Sequence, residues 1–288
     1  MLIGSLIREH AGSKIHQHVA QKFIDIRKRD RADKISIFTN TQTTVKPRDL
    51  RSNDKKVLAM KKTFEQRYSQ GYFKTKRGEE PPAEKDKKYI IDLTDLGKYL
   101  MAWHSQRPNI SYSETKIFDK YFEQLFKRDY VPDNIQALNF WMTEIYKGWV
   151  TNNPYGLNES LLAMKAYAPF HHLYAVSMCF SIASNMRDRV PSPAKTYQKA
   201  TEHNIVNKIV MMAATCLNFA LETAANELQP ENRVFSPQNW IKTKSCLGGI
   251  TAAISMQLMM LQNMQGGPQI KESLLLPPEN FEYRWAAD

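Results

Sequence analysis

The sequence contains a long, largely apolar stretch, Ile205 to Ala225 (IVNKIVMMAATCLNFALETAA), in which Lys208 and Glu222 are the only charged side chains. A second stretch, Ile250 to Leu261 with the sequence ITAAISMQLMML, carries no charge at all. Helical segments that are apolar around most of their circumference are typical of protein interiors. We therefore predict that both stretches form the buried centre of a mainly α-helical protein.

Helical patterns fill most of the chain on either side of these stretches. Residues of the Ser52-Asn53-Asp54 group can cap a helix from Lys55 to Tyr68, and Thr94 can cap a helix that ends before Pro108. Further helices are predicted after Ser113, where an aromatic stripe begins with Phe118, and over Ile135 to Trp149. Helices are also predicted over Glu159 to Asn185, broken or kinked near Pro169, over about Lys195 to Leu228, and from Pro237, after a Ser236 cap, to about Gln262. The tail after Pro268 is predicted to be irregular.

Residues 1–90 differ in character from the rest of the chain. Lys22 to Arg27, KFIDIR, alternates apolar and polar residues and predicts a short strand, and Tyr72 to Glu79 predicts a strand that ends in a turn. The proline- and charge-rich segment Glu80 to Lys88, EPPAEKDKK, is the predicted linker. The sequence thus predicts a small mixed α/β region over residues 1–90, followed by a helical domain over residues 91–288.

The positive charge is concentrated in that first region. Residues 1–90 hold 22 Lys and Arg against 11 Asp and Glu, whereas residues 91–288 hold 18 of each, so the first region carries the whole formal net charge of +11. Phosphate contacts supply most of the sequence-independent affinity of proteins for nucleic acids. This asymmetry favours a polyanionic partner, and the alternative interpretation is a solvated basic surface.

The cysteines and the hydropathy pattern indicate where the protein acts. Cys179, Cys216 and Cys246 are odd in number and widely spaced in apolar helical contexts, as expected of reduced cysteines in an intracellular protein. The apolar run from Cys246 to Leu261 is shorter than the ~20 residues that a membrane-spanning helix requires. We predict a cytoplasmic protein without a membrane partner.

Motifs of known chemistry are sparse. Asp54-Lys55-Lys56 and Asp86-Lys87-Lys88 match the short acidic-x-Lys pattern of metal-dependent nucleases, but the first lies at a predicted helix start and the second in the predicted linker. His171 and His172 are adjacent on an apolar helix and point about 100° apart, which favours buried, hydrogen-bonded histidines over an acid–base pair. His10, His16 and His18 do not have the spacing of a helical metal site. We predict no catalytic residue, no metal ligand and no cofactor.

Several motifs in the first third of the chain form an ordered set. They are FTNTQTTV at Phe38 to Val45, RDLRSND at Arg48 to Asp54, Gly71-Tyr72-Phe73 followed by Lys76-Arg77-Gly78-Glu79, and a weaker LGKYLMAWHSQRP at Leu96 to Pro108. This ordered set resembles the abortive-infection phage-resistance family, called AIPR. The resemblance is clear over residues 20 to about 108 and faint beyond them.

The resemblance implies a role in halting phage infection through nucleic acid. Typical members are considerably longer, and they carry an N-terminal nuclease-like domain of restriction-endonuclease type ahead of an Asn-Gly-x-Gln-Thr motif. Neither feature is found in this sequence. We therefore expect the chain to correspond to the C-terminal part of such a protein, as a truncated or split gene product, a domain or a stand-alone subunit.

These observations predict a non-catalytic module that engages DNA or RNA. Asn40 and Gln42 would hydrogen-bond bases or cap their own turn, and the predicted phosphate contacts are Arg48, Arg51, Lys55, Lys56, Lys74, Lys76 and Arg77. One alternative is an interaction protein whose apolar helices dock a separate nuclease subunit or a second copy of the chain. The other is a divalent-metal nuclease built on Asp54 and Lys56 or on Asp86 and Lys88.

Overall fold

The computed structural model describes residues 46–126, 131–150, 152–228 and 234–285. The predicted strand over residues 22–27 lies outside these ranges. Helices dominate the described part of the chain, and its strands are short, so the predicted mainly α class is confirmed.

The first half of the described chain has five α-helices and two strands. They are α1 (Pro47–Arg51), α2 (Lys55–Arg67), β1 (Tyr72–Lys74), β2 (Ile90–Asp92), α3 (Leu93–Trp103), α4 (Phe122–Phe126) and α5 (Pro132–Lys147). Short 3-10 turns cover Lys87–Tyr89 and Pro108–Ile110, and a π-helical turn covers Lys116–Lys120.

The second half adds seven α-helices, two strands and one more 3-10 turn. They are α6 (Glu159–Leu162), α7 (Ala168–Ala183), β3 (Arg189–Pro191), α8 (Pro193–Glu202), α9 (Val206–Leu228), α10 (Pro237–Trp240), α11 (Lys244–Leu261), α12 (Gly267–Ser273), the 3-10 turn Pro278–Asn280 and β4 (Phe281–Tyr283).

Helix α7 is the centre of the fold. Its residues from Ala168 to Ser181 are all buried, and helices α3, α5, α9 and α11 pack around it. Pro169 lies in its first turn, where the missing backbone N–H costs nothing. A helix that is apolar on all sides is stable only when other helices cover it, which is the arrangement found here.

The two stretches from which the fold was predicted are less buried than expected. Both lie on helices that pack against α7 and against each other, namely α9 and α11. Each helix nevertheless leaves large apolar side chains exposed, among them Met211 and Phe219 on α9 and Met259 and Met260 on α11. The prediction that these stretches form the buried centre therefore holds only for the face of each helix that other helices cover.

By length and composition, α9 and α11 could each span a membrane. Half of the most apolar window of α9 and a third of that of α11 are buried inside the protein. Core helices of soluble proteins have the same composition, so this finding is weak evidence for a membrane. The absence of a membrane partner stays a prediction.

Two small sheets lie on the helical body. Strand β1 pairs with β2 in parallel, with Phe73 opposite Ile91, and β3 pairs with β4 antiparallel, with Val190 opposite Glu282. The strand predicted at the start of Tyr72 to Glu79 is confirmed. The irregular tail predicted after Pro268 is wrong, since α12 and β4 both lie in it.

Elements on both sides of residue 90 contribute to one hydrophobic core. Val57, Met60 and Phe64 of α2 and Phe73 of β1 are buried together with the helices that follow. The β1–β2 pairing crosses the predicted linker, and Gln136 of α5 donates a hydrogen bond to the carbonyl of Lys88 at 2.8 Å. The domain boundary predicted near residue 90 remains a prediction. The described residues on its two sides pack into one hydrophobic core.

Candidate nucleic-acid interface

Seven of the nine predicted nucleic-acid-binding residues lie on four neighbouring elements. Arg48 and Arg51 belong to α1, Lys55 and Lys56 to the first turn of α2, and Lys74 to the end of β1, while Lys76 and Arg77 belong to the loop over residues 75–79. Asn40 and Gln42 lie outside the described residues.

The two arginines of α1 are directed into the protein. Arg48 is only 6% exposed, and its Nη2 donates to Asp92 Oδ2 at 2.8 Å. Arg51 donates from Nε to the carbonyl of Phe118 at 3.1 Å, and its guanidinium lies 4.3 Å from the ring centroid of Phe122. Asp92 directly precedes α3, and Phe118 and Phe122 belong to the aromatic stripe, so these contacts join α1 to both. Both arginines therefore connect separate elements of the fold.

The loop over residues 75–79 is closed by Glu79. Its carboxylate accepts hydrogen bonds from Lys61 Nζ at 2.8 Å and from Tyr72 Oη at 2.7 Å, and from the backbone amides of Thr75 and Lys76 at 2.8 and 3.0 Å. Partial burial opposes the charged form, but these hydrogen bonds, led by that from Lys61, lower the pKa of Glu79 to about 2. Glu79 therefore remains ionised and holds the loop against α2.

Gly78 allows this loop to turn. Its φ is +69°, in the left-handed region where a Cβ is unfavourable, and the glycine sits directly before Glu79. The Lys76-Arg77-Gly78-Glu79 motif is thus a closed turn that presents its two basic side chains outward, where both are exposed.

An ion pair between Arg77 and Asp49 joins the loop to α1. Arg77 donates from Nε to Asp49 Oδ1 at 2.9 Å and from Nη2 to Asp49 Oδ2. Asp49 also accepts from the backbone amide of Lys46 at 3.0 Å. The hydrogen bonds from Arg77 lower the pKa of Asp49 to about 2. Two motifs that are more than twenty residues apart in sequence are therefore brought into direct contact.

Three of the four predicted lysines are exposed to solvent, as is Arg77. Lys55, Lys56 and Lys76 are exposed, and Lys74 is half-buried. Lys55 and Lys56 are the first residues of α2, where the helix dipole adds to the positive potential. Arg77 ties the loop that carries Lys76 to α1, the helix that precedes Lys55, so the four lysines are treated together as one candidate basic surface. This surface, formed by Lys55, Lys56, Lys74 and Lys76, is called the lysine surface below.

Both acidic residues of the nuclease-like patterns are helix caps. Asp54 accepts from the backbone amide of Lys56 at 2.8 Å, and Asp86 accepts from that of Lys88 at 2.9 Å. A side-chain oxygen at an N-cap accepts from an amide two or three positions further on, so both aspartates have a structural role at a helix start. Within the described ranges, no group of three or more His, Cys, Asp and Glu side chains could hold a metal ion.

The paired histidines are buried and hydrogen-bonded, as predicted. His171 Nδ1 lies 3.1 Å from the carbonyl of Tyr167, and His172 Nε2 lies 2.7 Å from that of Val210. Burial lowers the pKa of each to about 4, so both are neutral at physiological pH. Burial likewise raises the pKa of Cys179, which makes its thiol unreactive. His10, His16 and His18 lie outside the described residues.

One cluster of basic residues could not be found by counting charges. Arg107, Arg187, Lys244 and Arg284 line a common cleft in the part of the chain whose net charge is zero. Successive members of this cluster are 40 to 80 residues apart and follow no local motif, so only the fold brings them together.

Comparison with known families gives one match. The model of the family described as AIPR protein matches residues 4–246, well beyond the segment near residue 108 to which the motifs pointed. No curated protein and no solved structure matches the chain. The match includes much of the helical body as well as the motif-bearing first third.

Proposed function

Because the chain belongs to the AIPR family of abortive-infection phage-resistance proteins, we propose that it is a non-catalytic module that engages DNA or RNA through the lysine surface. The proposal rests on a difference between the predicted arginines and lysines. Arg48, Arg51 and Arg77 have partners within the protein, and Lys55, Lys56 and Lys76 are exposed at its surface.

This difference fits the chemistry of the arginine and lysine side chains. Arginine forms planar, bidentate contacts such as the pair with Asp49, and it stacks on rings such as Phe122. Lysine is a flexible, strongly hydrated point charge that follows a phosphate backbone without fixed geometry. The arginines would fix the shape of the surface, and the lysines would supply its sequence-independent affinity.

The proposed absence of catalysis rests on the use of the candidate acids. Asp54 and Asp86 are engaged in capping, and neither is placed on a strand beside a second carboxylate. Within this proposal, cleavage belongs to a partner protein. The cytoplasmic location of the chain is part of the same proposal.

Binding assays with matched charge variants test the proposal. The triple variant Lys55→Gln/Lys56→Gln/Lys76→Gln removes three charges from the lysine surface. The control Lys165→Gln/Lys195→Gln/Lys208→Gln removes three exposed charges elsewhere. Fluorescence anisotropy with labelled DNA and RNA should show weaker binding for the first variant alone. Equal loss in both variants would contradict a specific surface.

A cleavage assay separates the module from a nuclease. Full-length chain, plasmid DNA or RNA and Mg²⁺ or Mn²⁺ should give no products. Cleavage that disappears in Asp54→Ala would overturn the non-catalytic assignment and support the metal-nuclease alternative.

A second candidate function is favoured by the exposed apolar side chains of α9 and α11. Phe219 of α9 borders a cavity of about 530 Å³ that Phe235 and Trp240 also line, and Met259 and Met260 are exposed at the end of α11. Exposed apolar surface of this kind often marks an interaction site. We propose it as the docking face for a nuclease subunit or a second copy. Light scattering after size exclusion, with and without such a subunit, would show a change in mass.

A further inference from the structure

The cleft lined by Arg107, Arg187, Lys244 and Arg284 has an unusual charge pattern. No carboxylate is among the described residues that line it, and none of the four cations forms an ion pair in the described part of the chain. Four like charges around one cavity repel each other, and a bound anion would relieve this repulsion.

The four cations are held by separate parts of the fold. Arg107 follows α3, and its backbone amide donates to the carbonyl of Met101 at 3.0 Å. Arg187 lies between α7 and β3, and Lys244 is the first residue of α11. Arg284 follows β4, and the next amide, of Trp285, donates to the carbonyl of His104 at 3.0 Å. The backbone on which the cations stand is thus tied to the core.

Polar groups on the cleft wall complete the site. Tyr174 Oη and Thr251 Oγ1 are 3.1 Å apart, and Arg187 Nη2 donates to Ser255 Oγ at 3.2 Å. Gln106 also lines the cleft with a φ of +49°, and its Oε1 is buried without a hydrogen-bond partner. A non-glycine residue in the left-handed region and an unsatisfied buried oxygen are both costly, and such features cluster at binding sites.

The size and walls of the cleft select the class of ligand. Its volume is about 620 Å³, within the range of small-molecule sites, and it opens to solvent. Leu247, Gly248 and Ala252 of α11 add an apolar part to the lining of the cleft. A ligand that combines phosphate groups with a flat ring would match both the charged and the apolar lining.

We propose that this cleft binds a small phosphorylated ligand of the nucleotide class, with its phosphates between Arg187, Lys244 and Arg284. Arg107 and Gln106 contribute from the loop after α3, and Gln106 Oε1 accepts a hydrogen bond from the ligand. The site is separate in sequence from the lysine surface, and its occupancy does not depend on nucleic-acid binding there.

Isothermal titration calorimetry of the full chain tests this inference. The probes are ATP, inorganic pyrophosphate and a short single-stranded oligonucleotide. ATP should bind, pyrophosphate should bind more weakly, and each of Arg187→Gln and Arg284→Gln should lower the affinity for ATP about tenfold. Lys208→Gln, an exposed lysine outside the cleft, is the matched control and should change nothing. All three substitutions are at exposed positions, and circular dichroism verifies the fold.

Each other outcome overturns the proposal. The cleft has no such ligand if ATP does not bind at low salt, or if binding is equally strong in Arg187→Gln, Arg284→Gln and the parent chain. Binding of the oligonucleotide alone, with loss in the two arginine variants, would instead assign the cleft to a nucleic-acid backbone. In that case the lysine-surface variants would distinguish it from the surface of the first third.

Discussion

The carboxylate of Asp92 accepts hydrogen bonds from the side chain of Arg48 and from the first turn of α3 at the same time. Oδ2 accepts from Arg48 Nη2 at 2.8 Å, and Oδ1 accepts from the backbone amide of Thr94 at 2.7 Å. The short helix α1 is thereby attached to the N-terminus of α3. Loss of either partner leaves a largely buried polar group without its contact.

Replacement of Arg48 should therefore be costly. Arg48→Met leaves Asp92 without its partner, and we expect the free energy of unfolding to fall by about 2 to 3 kcal/mol. The pair of Arg67 and Asp133 is the control because its arginine side chain is 61% exposed, so Arg67→Met should change stability little. Urea titrations measure both, and equal effects would contradict the structural role of Arg48.

Glu79 should make the loop over residues 75–79 sensitive to acid. Its pKa is lowered from 4.5 to about 2 in the folded protein, so its stabilising contribution is complete above pH 4.5 and is lost as the pH falls towards 2. Glu79→Gln should lower the Tm at pH 7, and the difference from the parent chain should shrink between pH 4.5 and 2. A difference that is independent of pH would show that the charge of Glu79 is not involved.

The buried histidines should add a second acid sensitivity at higher pH. Burial lowers the pKa of His172 from 6.5 to about 4, so unfolding takes up a proton and stability is lost as the pH falls from 6.5 to 4. At pH 5 this amounts to about 2 kcal/mol relative to neutral pH. His172→Gln should be less stable than the parent at pH 7, and its stability should fall less between pH 7 and pH 5. Parallel pH profiles would contradict a neutral, buried His172.

Two helical glycines should respond to alanine in opposite directions. A Cβ on Gly97 of α3 would lie 2.8 Å from Ile117 Cγ2 and 3.3 Å from Phe126 Cζ, so Gly97→Ala should destabilise by about 1 to 3 kcal/mol. A Cβ on Gly248 of α11 meets open space, so Gly248→Ala should stabilise by up to about 1 kcal/mol through helix propensity. Thermal denaturation compares the two, and the same sign in both would contradict this packing.

Local signals in the sequence predicted those helix ends that depend on local chemistry. Asp54 caps α2 from within the predicted Ser52-Asn53-Asp54 group, and Ser236 caps α10 from just before Pro237, as predicted. The predicted Thr94 cap was wrong by two positions, since the side chain of Asp92 accepts from the amide of Thr94. Both residues are good caps, and only the packing of α3 decides between them.

Breaks inside long helical patterns depend on tertiary structure and were missed. The predicted helix over about Lys195 to Leu228 is divided into α8 and α9, because Asn204 takes a φ of +52° between them. The predicted helix from Pro237 is divided into α10 and α11, where Thr243 caps the second helix. The break between α6 and α7, by contrast, was predicted near Pro169, which lies in the first turn of α7.

The candidate site was only partly predictable for a similar reason. Counting charges located the basic first third, and the motif order pointed to the family. Neither could show that Arg48 and Arg51 face inward or that Arg77 pairs with Asp49, since those contacts join residues distant in sequence. The cleft of Arg107, Arg187, Lys244 and Arg284 is assembled by the fold alone.

The salt dependence of nucleic-acid affinity is the most direct test of phosphate binding by the lysine surface. The dissociation constant of the parent chain for single-stranded DNA and RNA would be measured from about 50 to about 200 mM salt, with the two triple lysine variants beside it. If the lysine surface contacts phosphates, the slope of log K against log salt for Lys55→Gln/Lys56→Gln/Lys76→Gln should be shallower than that of the parent chain by roughly 2, at about 0.7 for each lost phosphate contact. The slope for Lys165→Gln/Lys195→Gln/Lys208→Gln should equal that of the parent chain. Equal slopes in the two variants, or no binding by the parent chain at low salt, would contradict nucleic-acid binding by the lysine surface.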